Sequence, residues 1–374
     1  MNVMDYLDWR GDLTFAERGF NEIDNLIFSV LSYIEMEDFV DADGEKIVTI
    51  EKLHELYTEE GRHTSMQFLT PEPLLEKAAQ SDRFKDVKVA YYVSEIDHDN
   101  HSQMAAVTFI YAEEEAYVAY RGTDSTIVGW REDFNLSFLN ETPGQHDSVR
   151  YLERVAGLSD GKLIVGGHSK GGNFAVYASA FCDEKIRDDR IVQVYCNDGP
   201  GFKTEITERE GYAEISDKVI KLVPGSSPVG ILLEDMEERR FIKSTGKGIM
   251  QHDPYTWCLV CTHFEDADER SQFSLFVDNV LSNWLSGMEN EERRTLVDTF
   301  FDALMINGAK TITDLSNNKL ATYRSIIKAL KGINDERKSE VVSSLQKLFV
   351  SGFETMKSGA LYKTGGFFIK DHKI

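Results

Sequence analysis

The run Leu163-Ile164-Val165-Gly166-Gly167-His168-Ser169-Lys170-Gly171-Gly172-Asn173-Phe174-Ala175 sets a Gly-x-Ser-x-Gly pentapeptide between an apolar, β-branched stretch and the start of a helical pattern. No other part of the chain constrains the fold as much. A buried strand that turns sharply into a helix forces its central serine into a strained backbone conformation, and the turn leaves no room for side chains two positions either side, at Gly167 and Gly171. The same turn lifts Ser169 Oγ clear of the sheet. It also sets the Lys170 amide at a helix N-terminus, where it can donate to a developing oxyanion. Ser169 therefore stands where a nucleophile would; the plain alternative is a glycine-rich turn whose small serine fits under a packed helix.

The flanking segments supply a sheet for that strand. Residues 20–35 and 48–60 carry helical spacing, and near residue 86 the period becomes strand-like. Runs at 87–93, 104–111 and 116–120 are β-rich, the last two joined as a hairpin by Glu113-Glu114-Glu115. A helix at about 146–158 leads into the elbow strand, and strands at 190–196, 219–223 and 240–243 then alternate with helices. Alternation of this kind predicts an α/β fold with a mainly parallel sheet flanked by helices. From about residue 266 the strands stop, and 272–285, 291–305, 323–330 and 339–349 show apolar residues at helical spacing. The expected organisation is an α/β domain over 1–265, including the N-terminal helices, and a helical C-terminal region over 266–374 that offers a surface for protein contacts. Residues 365–374 read as a tail.

Charge and composition exclude several classes. A net charge of −23 with no basic run argues against a nucleic-acid partner. The richest apolar stretch, 26–34, is half the length of a membrane span, and residues 1–10 carry Asp5 and Asp8 where a signal peptide would be basic, so a cytoplasmic location is expected. Four cysteines are too few for a disulfide scaffold. Cys258-Leu259-Val260-Cys261 has zinc or redox spacing, yet it lies in an apolar segment with no second pair, so buried packing is expected there, as at Cys182 and Cys196. Arg10-Gly11-Asp12 reads as a turn. Nothing calls for a cofactor or a metal.

A serine hydroxyl needs a histidine to take its proton and an acid to orient that histidine, and with a strand–turn–helix nucleophile the chain order is serine, acid, histidine. Only His252, His263 and His372 follow Ser169. His252 lies in the loop Gly246-Lys247-Gly248-Ile249-Met250-Gln251-His252-Asp253-Pro254, just after the last expected strand, and is the expected base. His263 sits in a more apolar setting and His372 in the tail. His168 adjoins the serine, but neighbours in an elbow point apart. For the acid, Asp198 follows the strand ending at Cys196 and faces the crevice at the carboxyl edge of the sheet; Asp235 and Glu234 are the alternatives. A second oxyanion donor is expected from Tyr120-Arg121-Gly122-Thr123-Asp124, where Gly122 permits close approach and Thr123 offers an amide and a hydroxyl.

With these residues in view, Val118-Ala119-Tyr120-Arg121-Gly122-Thr123-Asp124, then Trp130 and Asp133, then Gly167-His168-Ser169-Lys170-Gly171-Gly172-Asn173, resemble the class 3 lipases, whose pattern runs Arg-Gly-Thr, Trp-x-x-Asp and Gly-His-Ser-Leu-Gly-Gly. The similarity spans roughly 85–260. Tyr6-Leu7-Asp8-Trp9-Arg10-Gly11-Asp12, Phe20-Asn21-Glu22-Ile23-Asp24-Asn25 and His252-Asp253-Pro254-Tyr255-Thr256-Trp257 are similar, more closely, to a bacterial lipase-like family. The resemblance implies an α/β-hydrolase with Ser169 as nucleophile, Thr123 and Lys170 at the oxyanion hole and His252 as base. Two departures stand out: Lys170 replaces leucine, and Ser226 or Ser227 occupies the place of the usual aspartate.

The expectation is a serine hydrolase cleaving carboxylic esters, small-molecule or lipid-like, through an acyl-enzyme. The competing expectation is a catalytically silent hydrolase fold used for binding. The segment 124–146, with Ile127, Val128, Trp130, Phe134, Leu136 and Phe138, reads equally as lid or core.

Overall fold

Eight strands lie in one sheet in strict sequential order: β1 (Val48–Thr49), β2 (Lys88–Asp97), β3 (Ser102–Ala112), β4 (Glu115–Tyr120), β5 (Lys162–His168), β6 (Ile191–Asn197), β7 (Val219–Pro224) and β8 (Arg239–Ile242). The pairings from β1 to β4 are antiparallel and the four from β4 to β8 are parallel. This computed structural model describes residues 1–267 except 65–68, 125, 137–138, 226, 228, 234 and 236–237, together with Arg294, Asp298, Phe301 and Met305. The expected C-terminal helices fall almost wholly outside the described residues, as do the tail, His372, Ser226 and Glu234.

Sequential order dictates how the sheet must be covered. Right-handed crossovers between neighbouring parallel strands put every connecting helix on one face. Here α6 (Pro143–Leu158), α7 (Lys170–Phe181) and the short helix Glu210–Ile215 share a buried cluster with Val118, Tyr120, Val165 and Val194. The opposite face needs another cover. It comes from the N-terminal helices α1 (Val3–Arg10), α2 (Glu22–Leu31), α3 (Ile50–Glu59) and α4 (Glu72–Gln80), whose apolar residues cluster with Phe109, Tyr117, Ala119, Ile164 and Tyr195. Strand alternation thus divides β4 residue by residue between the two cores.

Every residue of α2 is buried, so its polar side chains require partners inside the protein. Asp24 pairs with Arg83 at 2.6 Å and accepts the Tyr6 hydroxyl at 3.0 Å. Asn25 exchanges reciprocal amide hydrogen bonds, both 2.9 Å, with Asn197 at the end of β6. Ser29 bonds the Tyr117 hydroxyl at 2.8 Å. Two helices lie close to the expected ranges: 20–35 shortens to α2, and 48–60 divides into β1 and α3. The helix expected at 146 starts at 143, because Thr142 forms a capping box with Gln145 and Pro143 takes the first helical position. α1 and α4 were not expected. Both are short, and α4 carries Pro73 in its first turn.

Arg10 ends α1 and Gly11 caps it, so the tripeptide is a turn. Cys182 and Cys196 are buried. Cys258 and Cys261 depart from expectation: Cys258 is half-buried and Cys261 is exposed at the tip of the hairpin formed by β9 (Leu259–Val260) and β10 (His263–Phe264). The apolar run there is too short to bury both of its ends. No described helix is long and apolar enough to cross a membrane.

Candidate active site

β5 supplies the elbow. Leu163, Ile164 and Val165 are buried between β4 and β6, which fixes the strand to its last residue, His168. Ser169 then takes φ 60° and ψ −132°, a region essentially reserved for glycine, and α7 begins at Lys170. A β-carbon added to Gly167 would strike the Gly171 backbone, and one added to Gly171 would strike the Tyr120 carbonyl. The Ser169 amide donates to the Asn197 carbonyl at 2.9 Å, so the turn after β5 is tied to the turn after β6.

That second turn carries Asp198, which is fully buried, has φ 51° and still donates its amide to Leu222 of β7 at 2.8 Å. Its carboxylate has three donors. His252 Nδ1 lies 2.6 Å from Oδ2, Ser227 Oγ donates to Oδ2 at 2.5 Å, and the Gly230 amide donates to Oδ1 at 3.0 Å. Ser227, where the resemblance expects an aspartate, therefore supports the aspartate that stands one strand earlier. Asp235 is elsewhere: it is buried between Lys221, at 2.5 Å, and Arg239, at 2.6 Å. His263 is exposed and lies 3.7 Å from Glu22.

His252 ends a 3-10 turn, Gly248–His252; its side chain is 23 % exposed and its Nδ1 meets Asp198. His168 holds its backbone. The buried His168 ring lies 4.5 Å from the His252 ring; its Nε2–H donates to the His252 carbonyl at 2.8 Å, and its Nδ1 accepts from the Tyr33 hydroxyl at 3.1 Å. Burial first, and then the neighbouring His252, push the His168 pKa well below 6.5, which keeps the ring neutral and suited to one donor and one acceptor. Among the described residues no hydrogen bond joins Ser169 Oγ to His252. Sites without substrate often hold that contact open.

Thr123 follows β4, the strand beside β5. A β-carbon on Gly122 would lie 3.0 Å from Ser169 Cβ, so this loop passes directly beside the elbow. The Thr123 hydroxyl donates to Asp133 Oδ2 at 2.6 Å. Asp133 belongs to α5 (Ile127–Asn135), and burial pushes its carboxyl up to about 6 against the pull of the Lys170 charge and the Thr123 hydrogen bond. The Lys170 amide, in the first turn of α7, has no intrahelical acceptor. The Lys170 side chain is buried and reaches Glu132 Oε2 at 2.8 Å, Gln103 Oε1 at 2.9 Å and the Gln103 carbonyl at 3.0 Å. Ile127, Val128, Glu132 and Leu136 are buried, so this stretch of 124–146 is core; Phe138 is outside the described residues.

Ser169, Asp198, His252, Thr123 and Lys170 are thus gathered at the carboxyl edge of β4 to β6. Tyr33, the Asn25–Asn197 pair, and the roles of Ser227 and Glu132 were not anticipated. The signals near them were the resemblance at Phe20 to Asn25, the Trp-x-x-Asp pattern and the serines 226 and 227 at the place of the usual aspartate. Two surface clefts, about 410 and 560 Å³, lie around Glu141, His146 and Arg150 and include none of these site residues. The site is placed by hydrogen bonding and burial rather than by cavity size.

A family model described as Mbeg1-like matches residues 78–302, more than half of the chain. Among curated proteins, none matches. Solved structures that resemble the chain include M37 lipase, at 15% identity over 55% of this chain and 68% of that one with a TM-score of 0.35. The native Rhizomucor miehei lipase propeptide complex is 18% identical over 48% and 68%, with a TM-score of 0.33. A deletion mutant of the same complex is 14% identical over 63% and 77%, with a TM-score of 0.36.

Proposed function

We propose that this chain, which belongs to the Mbeg1-like family, is a serine hydrolase that cleaves carboxylic esters through an acyl-enzyme. The observation that carries the reading is the 2.6 Å bond between His252 Nδ1 and a buried Asp198 that has two further donors of its own. A carboxylate held in this way fixes one imidazole tautomer and stabilises the imidazolium that forms when the other nitrogen takes a proton.

In this reading Ser169 Oγ attacks the ester carbonyl as His252 Nε2 removes its proton. The Thr123 and Lys170 amides receive the oxyanion. His252 returns the proton to the departing alcohol, leaving an acyl-Ser169. Water, activated by His252, then releases the acid and restores the serine. The strained backbone at Ser169 and the partial exposure of His252 support the assignment. A small-molecule or lipid-like monoacyl ester is the proposed substrate class.

The test is labelling of the intact protein by a fluorophosphonate, lost in Ser169→Ala, together with hydrolysis of p-nitrophenyl esters scanned by acyl length. One observation favours a second reading, a silent hydrolase fold that binds rather than cleaves: the missing hydrogen bond between Ser169 Oγ and His252. Folded protein that neither labels nor turns over any ester of the panel would overturn the hydrolase reading in favour of the second.

A further inference from the structure

Glu132 is fully buried and every acceptor position on it is used. Oε1 accepts the Gly144 amide at 3.1 Å and the Ser102 hydroxyl at 3.3 Å; Oε2 accepts the Gln103 amide at 3.0 Å and Lys170 Nζ at 2.8 Å. Lys170 Nζ, also buried, is likewise complete, with Glu132, the Gln103 side chain and the Gln103 carbonyl as its three acceptors. The two residues join α5 to β3, α6 and α7 at one point.

A buried ion pair satisfied in this way gives little or no net stability over a well-packed apolar pair, because desolvation offsets the attraction. The best-attested use of such a pair is registry. Its position tells what is being registered. Lys170 carries the amide beside the nucleophile, and Glu132 immediately precedes Asp133, the acceptor of the Thr123 hydroxyl at 2.6 Å. The supports of both candidate oxyanion donors, which lie on different elements, therefore meet in one salt bridge. The lysine also replaces the leucine of the pattern that the elbow otherwise resembles, so the charge is an addition to that arrangement.

We propose that Lys170 and Glu132 are positioning residues that set the spacing between the Thr123 and Lys170 amides, an inference that rests on the hydrolase reading above. They act through their side chains, which touch no reacting atom; the Lys170 amide is a separate group that both substitutions leave in place. They act by locking α5 against the first turn of α7. Loss of the lock leaves substrate binding and the His252–Asp198 pair in place and weakens only the contacts made as the oxyanion forms.

The experiment compares the parent with Lys170→Met/Glu132→Gln, which removes both charges together and avoids stranding one of them. Fold is followed by urea unfolding, and function by p-nitrophenyl acetate kinetics and the rate of fluorophosphonate labelling. The expected result is a folded double variant whose kcat and labelling rate drop by roughly ten- to a hundredfold, with KM within about twofold and the pH profile unmoved. A folded double variant that turns over and labels at the parental rate overturns the proposal. A parent that never labels overturns the hydrolase reading, and the positioning role with it. Should the double variant fail to fold, Lys170→Arg keeps the charge but alters its reach, and parental kcat in that variant overturns the proposal equally.

Discussion

Ser227 donates its hydroxyl proton to Asp198 Oδ2 at 2.5 Å, from a position 29 residues further along the chain. The class 3 pattern that the chain resembles has an aspartate near the place of Ser227, after β7. Here the carboxylate that meets His252 is Asp198, just after β6, and the hydroxyl after β7 donates to it.

Asp198→Asn leaves the His252 ring facing an amide that cannot stabilise imidazolium. Its kcat is expected to fall by roughly 10³- to 10⁴-fold with the fold intact. Asp235→Asn is the contrast: it breaks a buried pair with Lys221 and Arg239, costs about 3–5 kcal/mol in urea unfolding, and leaves the labelling rate of the folded fraction near parental. Reversal of the two phenotypes would mean the acid has been misassigned.

Ser169→Gly relieves the positive φ at the elbow and is expected to stabilise the protein by about 1–3 kcal/mol, whereas Ser169→Ala keeps the strain. Both abolish labelling. Equal stability of the two variants in urea would show that the elbow stores no strain.

Asp133 titrates near 6 in the folded protein against 3.8 as its ordinary value. Between those values the native state holds the extra proton, so its ionisation costs stability in full above about pH 6 and nothing below about 3.8. Asp133→Asn removes that cost. It should gain on the order of 1–3 kcal/mol at pH 8 and progressively less as the pH falls towards 4. A gain of the same size at both ends counts against the assignment.

His168 has the opposite sign. Its folded pKa lies well below 6.5, so its neutral ring contributes stability that is fully present above pH 6.5 and is lost as the pH falls through and below that value. Tyr33→Phe deletes the donor to His168 Nδ1 and is expected to cost about 1 kcal/mol and to lower kcat severalfold by loosening the His252 carbonyl anchor. Urea unfolding from pH 8 to 5, with and without the substitution, measures the stability effect, and ester turnover measures the other. A variant with parental kcat would free Tyr33 of any part in the site.

The elbow, the hairpin of β3 and β4, and the parallel strands after it were legible because they depend on local rules: a period of two or 3.6, glycine at crowded turn positions, and carboxylates at strand ends. Asp198 was legible for the same reason, as the residue after a strand. α1 and α4 were not, since short helices hold their place through tertiary packing more than through their own pattern. The cysteine pair misled because apolar neighbours in sequence say nothing of a hairpin tip in space. Lid or core was equally undecidable at α5, where the deciding contact, Glu132 to Lys170, spans 38 residues.

By itself the sequence determined the fold class, the strained serine and the short list of candidate partners, which follow from local periodicity, the crowded turn and the order of elements along the chain. Tertiary structure alone decided which carboxylate meets His252, that Ser227 supports it, and that α2 seals the second face while bonding Asn197 beside the acid. Those choices rest on buried polar groups finding partners far along the chain. The penalty for leaving such a group unpaired selects one arrangement only once the sheet has brought the candidates together.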